Sequence, residues 1–314
     1  MATSVLIVNF LAYEDLDRCL QSVDGQLRPG DEVIVIDNES QPARAAAVGR
    51  KFPFATIIPS DVNRGFAAGM NMAARHARNP FLLLLNPDTV VEGPLIVVLE
   101  EHLSLHPDTA VVGPRVINGD GSIQPSARAF PGLSTLLGGR SAWFTQKYPD
   151  NPWARRNLLG LDARTPLRVE WLSGSCLMTR RDVFERLGGF DESFFLYWED
   201  ADYCRRIAKL GLARTYVPSV SVRHFGGGSA RYNLARAIRE FHRSAYLLHR
   251  RQCGLVGRVG APLVRAGLFV RGEFKVRSAL ALARQSTGVP SPEPPPAAHL
   301  QPVRAESHLD SVAT

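Results

Sequence analysis

Four short apolar runs constrain this chain more than any other feature. They are Ser4-Val5-Leu6-Ile7-Val8-Asn9, Glu32-Val33-Ile34-Val35-Ile36-Asp37, Phe81-Leu82-Leu83-Leu84-Leu85 and Ala110-Val111-Val112-Gly113. Each is short, unbroken and apolar on both faces, the pattern of a strand covered on both sides of a sheet. Ala55 to Ile58 adds a weaker fifth. Between them the apolar residues change to helical spacing. Leu16, Cys19, Leu20 and Val23 make one such stripe, and Ala43 to Lys51 and Phe66 to Arg78 make two more. Pro94 opens a further helix that runs to Leu105. Strands and helices that alternate with short connections predict an α/β fold: a twisted, mostly parallel sheet with helices on both faces.

In such sheets a ligand sits beyond the carboxyl ends of the strands. Polar residues gather there: Asn9 after the first strand, Asp37-Asn38 after the second, Asn86-Pro87-Asp88 after the fourth. The segment Asn9-Phe10-Leu11-Ala12-Tyr13 lacks the glycines of a dinucleotide fingerprint, and no Walker-type loop occurs. Hydride transfer and P-loop chemistry are thereby disfavoured. Asn63-Arg64-Gly65-Phe66 opens a helix that carries Gly69 and Asn71. Its glycines allow close backbone approach, and its N-terminus favours an anion. Asp88 follows an abrupt strand end. It reads equally as a turn former and as a metal ligand, since Mg2+ or Mn2+ takes one or two protein carboxylates beside phosphate oxygens.

In the second half, residues 190–206 pack five carboxylates among six aromatic rings. Carboxylates in aromatic walls are partly desolvated and make better proton acceptors. Glu199, Asp200 and Asp202 also suit a helix start, and the two readings are compatible. Asp202 and Arg206 stand four apart and are expected to pair. Thr179-x-x-Asp182 reads as a helix cap, and Arg180 and Arg181 as solvated residues or diphosphate contacts. Ser219 to His224 alternates like a strand, and His224 then meets the flexible Phe225-Gly226-Gly227-Gly228-Ser229. Residues 115–170 are loop-rich and hold Trp143, Phe144, Tyr148 and Trp153, which suggests an acceptor side.

The net charge of +7 is not spread evenly. Residues 1–235 carry 25 basic and 25 acidic side chains, whereas residues 236–284 carry 11 and 2. Leu234, Ile238, Phe241, Ala245 and Leu248 form one apolar stripe, and apolar and basic residues interleave beyond Pro262. Two readings stand: an interfacial helix on an anionic membrane surface, or amphipathic helices packed on the domain. Nucleic acid is disfavoured because the rest of the chain is neutral. Cys19, Cys176, Cys204 and Cys253 show no paired spacing, which fits reduced thiols in a cytoplasmic protein. No secretory leader and no apolar run of ~20 residues is recognisable. Proline-rich residues 288–314 are expected to be disordered.

Taken in order, Val8-Asn9-Phe10, Asp37-Asn38 with Ser40, Asn63-x-Gly65-Phe66 with Asn71, Leu85-Asn86-Pro87-Asp88, Gly188-Gly189-Phe190-Asp191-Glu192, Tyr197-Trp198-Glu199-Asp200, and His224 with Gly226-Gly227 and Ser229 resemble the family 2 glycosyltransferases of the GT-A fold, in their rhamnosyltransferase branch. Pro125-Ser126-Ala127-Arg128, Asn151-Pro152-Trp153 and the run Trp171 to Leu177 resemble members that act on polyprenyl-diphosphate N-acetylglucosamine in cell-wall synthesis. The resemblance implies a dTDP-L-rhamnose donor, a divalent cation (Mg2+ or Mn2+), a polyprenyl-diphosphate-linked glycan acceptor and inversion at the anomeric carbon. It implies nucleotide-sugar contacts from Asn9, Asp37, Asn63, Gly65, Asn71 and Asn86. Asp88 and His224 would hold the metal, Asp200 would be the base with Glu199 beside it, and Trp171 and Trp198 would meet the acceptor. Asn86 stands where many relatives have an aspartate. The expected organisation is a catalytic domain over 1–230, with a nucleotide half to 114 and an acceptor half from 115. Basic helices follow over 231–287 and a tail over 288–314. The expected place is the inner face of the cell membrane. Another sugar donor, or an inactive sugar-nucleotide-binding module, are the alternatives.

Overall fold

The computed structural model describes residues 1–132, 159–160, 162–227 and 230–287. The expectations for Trp143, Phe144, Tyr148, Trp153 and residues 288–314 lie outside these. The chain begins β1 (Thr3–Asn9), α1 (Tyr13–Asp24), β2 (Glu32–Asn38), α2 (Pro42–Lys51), β3 (Ala55–Ser60), α3 (Phe66–His76) and β4 (Phe81–Leu85). It continues with β5 (Thr89–Glu92), α4 (Leu95–Leu105), β6 (Thr109–Asn118), β7 (Ile123–Gln124) and β8 (Ala127–Arg128). The second half holds β9 (Leu167–Arg168), β10 (Trp171–Leu172), β11 (Cys176–Arg180), α5 (Arg181–Arg186), α6 (Glu199–Lys209) and β12 (Ala213–His224). Two long helices follow, α7 (Leu234–Gln252) and α8 (Leu255–Thr287).

The main sheet runs β3-β2-β1-β4-β11-β6-β12-β5. Its first four strands are parallel, as the apolar runs predict. β11 enters antiparallel between β4 and β6, and β5 lies antiparallel on β12. Within β1 and β4 successive side chains part to opposite faces. Leu6, Val8, Leu82 and Leu84 join a core with α3 and α6. Val5, Ile7, Leu83 and Leu85 join the core under α1 and α4. The C-terminal helices belong to the first of these cores, through Ala245, Leu248, Val264 and Leu268.

Two local expectations need correction. Thr179 caps nothing: its hydroxyl donates to the Ala110 carbonyl at 3.1 Å and pairs with the Tyr203 hydroxyl at 2.7 Å, inside the core. Arg180 donates to the carbonyls of Thr109 and Leu103, and Arg181 pairs with Glu185. Arg180 lies opposite Phe81, at the amino end of β4 and away from the polar strand ends. The pairing of Arg206 with Asp202 is present at 2.7 Å. The cysteines are free thiols, and Cys19, Cys176 and Cys204 are buried.

Candidate active site

The site forms where β4 stops. Three backbone bonds pin the Asn86-Pro87-Asp88 turn. The Asn86 amide donates to the Ser175 carbonyl (3.0 Å), that of Thr89 to the Asn86 carbonyl (3.2 Å) and that of Phe225 to the Asp88 carbonyl (3.0 Å). Pairing of β12 with β5 sets His224 opposite Thr89 and so brings its ring beside Asp88. His224 Nε2 lies 3.2 Å from Asp88 Oδ1 and 3.4 Å from Asn86 Nδ2. His224 Nδ1 lies 2.9 Å from Gln124 Oε1. With that amide oxygen as acceptor, Nδ1 carries the proton, so in the neutral ring Nε2 presents a lone pair toward a carboxylate oxygen. Two lone pairs converging at this distance suit a shared cation. Octahedral ligands at ~2.1 Å stand about 3.0 Å apart along an edge.

The pair therefore fits a divalent metal, with two protein ligands. No cluster of three or more metal-binding side chains occurs among the described residues, so a bound metal would draw its other ligands from substrate phosphate and water. Asn86 stands where an aspartate could have been a ligand; its Nδ2 lies 3.4 Å from the same Nε2, a contact that a metal on that lone pair would displace.

Asp88 and His224 open into a cleft. Asn38, Asn63, Gly65 and Phe66 form one wall, Phe195, Leu196 and Tyr197 a second, and Arg236, Ala237 and Glu240 of α7, with its cap Asn233, a third. Asn63 Oδ1 accepts from the Gly65 amide at 2.9 Å, and Asn38 Nδ2 donates to the Gly65 carbonyl at 3.0 Å. Here the structure corrects the expected anion site. The Phe66 amide at the mouth of α3 donates to the Phe195 carbonyl at 2.8 Å. The close approach that Gly65 permits is thus made by the protein's own chain.

Five other residues expected to touch ligand are placed differently. Asn9 is fully buried and donates through Nδ2 to Asp37 Oδ1 at 2.7 Å. Asp37 is itself 1% exposed and accepts from Tyr13 and Ser40 as well. Burial and the Asp37 carboxylate push the Tyr13 hydroxyl up to about 12. Neither Asn9 nor Asp37 lines the cleft, so Asn9 positions Asp37 behind the wall that Asn38 presents. Asn71 clamps the 190s loop: Oδ1 accepts from the Phe190 amide, and Nδ2 donates to the Phe190 carbonyl and Glu192. Trp171 and Trp198 are buried, with ring centroids 5.5 Å apart. Trp198 also packs against Phe241, to whose carbonyl its Nε1 donates at 3.2 Å. Neither tryptophan offers a surface to an acceptor.

Asp200 and Glu199 open α6 and are 7% and 5% exposed. Asp200 Oδ2 accepts from the Gly174 amide at 2.7 Å and Oδ1 from the Ala201 amide at 2.8 Å. Asp200 does not line the cleft of Asp88. It stands at the same end of the sheet, across the turn whose Ser175 carbonyl holds Asn86. The residues just before it are left-handed: Tyr197 has φ 67° and Trp198 φ 71°. Such backbone in bulky residues is held only by its surroundings, at ~1–3 kcal/mol each. Here Ser244 of α7 donates to the Leu196 carbonyl, and Arg251 pairs with Asp191 and Asp202.

Arg236 and Glu240 are wall residues that the sequence did not reveal. They sat in a segment legible only as basic and amphipathic, and the fold alone folds it over the cleft. The Arg236 guanidinium lies 4.3 Å over the Phe195 ring.

Comparison with known proteins agrees with this architecture. A model of the family described as Glycosyl transferase family 2 matches residues 4–188. An N-acetylglucosaminyl-diphospho-decaprenol L-rhamnosyltransferase of Mycobacterium tuberculosis is 32% identical over 90% of this chain and 95% of its own. GalNAc-T7, solved with UDP, GalNAc and Mn2+, superposes with a TM-score of 0.56 at 18% identity, over 76% of this chain and 48% of its own. The mannosyltransferase PcManGT of Pyrobaculum calidifontis, solved with GDP-Man and Mn2+, gives 0.52 at 16%, over 91% and 76%. These two likenesses bear on the fold, which is GT-A. The family match spans more than half of the sequence, and this chain belongs to glycosyl transferase family 2.

Proposed function

We propose that this glycosyltransferase moves L-rhamnose from dTDP-rhamnose to a polyprenyl-diphosphate-linked N-acetylglucosamine, with inversion and with a divalent cation, Mg2+ or Mn2+. The observation that carries the reaction class is the Asp88–His224 pair at 3.2 Å in a cleft walled by the Asn63–Phe66 loop and α7. The full-length likeness to a relative named for rhamnosyl transfer onto a diphospho-decaprenol acceptor supports the sugar and the acceptor. The family resemblance supplies dTDP.

In this reading Asp88 and His224 would hold the cation, which would supply positive charge against the departing diphosphate. Asn63 and Asn38 shape the wall beside the nucleotide, with Asp37 fixed behind them. Arg236 faces the same space and adds positive charge near the diphosphate. Asp200, at the same strand ends but outside that cleft, would take the proton from an acceptor hydroxyl that reaches across the Gly174–Ser175 turn. That oxygen bonds to the anomeric carbon on the face opposite the diphosphate, and the electrons of the breaking bond leave with the diphosphate oxygen. Two backbone amides hold the Asp200 carboxylate in one orientation, as a base acting on one hydroxyl requires. The test is a panel of nucleotide sugars offered with polyprenyl-diphosphate N-acetylglucosamine. Transfer is expected from dTDP-rhamnose and is expected to stop in EDTA. Equal transfer from another sugar, or full activity in EDTA, defeats the reading.

The reading includes peripheral attachment at the inner membrane face. No helix among the described residues is long and apolar enough to cross a membrane. Helix α8 nevertheless exposes Val259, Leu263, Val270 and Phe274 along one face, and Leu263 is 80% exposed. Val264 and Leu268 of the same helix are core residues, so deleting α8 would confuse attachment with unfolding. The double substitution Leu263→Asp with Phe274→Asp avoids that. It is expected to release the protein from phosphatidylglycerol vesicles in flotation, and unchanged flotation rejects the attachment.

A further inference from the structure

Between α7 and α8, beside the 190s loop, runs a groove of about 580 Å³. Its lining mixes charge with apolar surface: Arg239, Arg243 and Arg265 stand with Tyr246 and Phe269. Arg239 is committed, since it bonds both carboxylate oxygens of Glu273, at 2.6 and 3.0 Å, and ties the two helices together. Arg243 and Arg265 are held more loosely. Arg243 reaches Glu240 only at 3.5 Å, with its side chain 71% exposed. The Arg265 guanidinium lies 6.0 Å from the Tyr246 ring centre. Two weakly engaged guanidinium groups over an aromatic and aliphatic floor suit an anion with an apolar tail, because arginine matches phosphate oxygens in pairs.

The position of the groove adds to its chemistry. Glu240 lines both the groove and the cleft of Asp88 and His224, so one turn of α7 separates the two. Ser193 at the groove belongs to the segment whose Phe195–Tyr197 walls the cleft. At the other end Phe269 is 67% exposed, on the helix whose apolar face is Val259, Leu263, Val270 and Phe274. A path therefore leads from the cleft, past two arginines, to exposed apolar surface.

We propose that this groove seats the diphosphate and the first isoprenoid units of the lipid-linked acceptor. Arg243 and Arg265 bind the phosphate oxygens, Tyr246 and Phe269 lie along the chain, and the sugar points past Glu240 into the cleft. A diphosphate presents more anionic oxygens than a phosphodiester headgroup, which is why two arginines select it over bulk phospholipid. The assignment rests on the reading of a polyprenyl-diphosphate acceptor.

Its test is a binding measurement on the full chain that does not depend on transfer. Saturating dTDP and Mg2+ first fill the cleft, and farnesyl diphosphate is then titrated as the probe. Saturable binding is expected, and Arg243→Ala combined with Arg265→Ala is expected to weaken it by about tenfold or more. Both side chains are exposed, so the variant keeps its fold. Phe269→Ser is expected to weaken the probe severalfold, and farnesol and inorganic diphosphate should each bind less well than the joined molecule. The assignment fails if the wild type does not take up farnesyl diphosphate beside dTDP, or if the double arginine variant binds it unchanged. It also fails if phosphatidylglycerol displaces the probe as readily as unlabelled farnesyl diphosphate does. Rhamnosylation of the lipid acceptor with unchanged probe binding in the double variant would remove the groove and leave the reaction standing. Probe binding lost in that variant, with no rhamnosyl transfer by the wild type, would do the reverse.

Discussion

Asp200→Asn is expected to lower kcat by roughly 10²–10⁴-fold while leaving the affinity for dTDP near that of the wild type, because a positioned general base contributes about that much. Asparagine keeps the shape of the side chain and removes the basic oxygen. Asp200 does not line the cleft of Asp88 and His224, so the nucleotide site has no direct reason to change. The substitution does carry a structural effect of its own. Asp200 accepts from two amides, those of Gly174 and Ala201, and asparagine has one acceptor oxygen for both. One N–H is left facing an NH2 group, at about 1–3 kcal/mol. A modest fall in melting temperature should therefore accompany the kinetic loss. Single-turnover transfer, dTDP binding and thermal melting measured together separate the two effects. Turnover within a few-fold of the wild type removes Asp200 from the role of base. A parallel collapse of dTDP affinity would make it a positioning residue for the Gly174 turn.

The same contrast, between what a residue type suggests and what its neighbours use it for, marks where the sequence could be read. The buried runs were legible because burial on both faces forces apolar residues at every position, and this needs no knowledge of the partner strand. Strand β5 was not legible. Thr89–Glu92 is four residues long and exists through its pairing with β12, more than a hundred residues away. The length of β6 was misread for a different reason. Pro114 looks like a strand end, since proline cannot donate to the ladder. In the structure it stands opposite Val217 at the irregularity before Ser221, where β12 carries a proline of its own, Pro218. A bulge absorbs both, and the strand continues to Asn118.

At the site, strand ends told where ligand chemistry would gather but not which side chains would be free for it. Asp88 and His224, distant in sequence, stand 3.2 Å apart at the strand ends. Asn71, Trp171 and Trp198 did not reach the cleft, because the 190s loop needs them. That loop carries two left-handed bulky residues and has to be clamped from α3, β10 and α7 at once. Such a demand is invisible until the loop has a conformation. Arg236 and Glu240 show the converse. Their charges were plain, and only the packing of Ala245 and Leu248 into the core turns that face of α7 toward the cleft.

Gly65→Ala puts the clamp itself to the test, and it is expected to destabilise the protein by about 3 kcal/mol or more and to weaken donor binding. Gly65 has φ 88° and ψ 176°, a conformation that side chains rarely adopt. A Cβ there would overlap the Phe195 carbonyl oxygen and fall 2.8 Å from Phe195 Cδ2. The obstacle is partly backbone, so a rotamer change cannot relieve it. Relief requires the 190s loop to retreat, which breaks the 2.8 Å bond from the Phe66 amide and moves the wall formed by Phe195, Leu196 and Tyr197. Gly121→Ala supplies the control. Gly121 also has a positive φ, 86°, and open space where its Cβ would lie. It is expected to lose only about 1 kcal/mol, the backbone penalty alone, and to leave donor affinity unchanged. Chemical denaturation of both variants, with dTDP binding measured beside it, sets the loss at Gly65 against that of a positive φ in open space. Equal losses in the two, with normal dTDP binding in both, would mean that the Gly65–Phe195 approach neither braces the loop nor shapes the cleft.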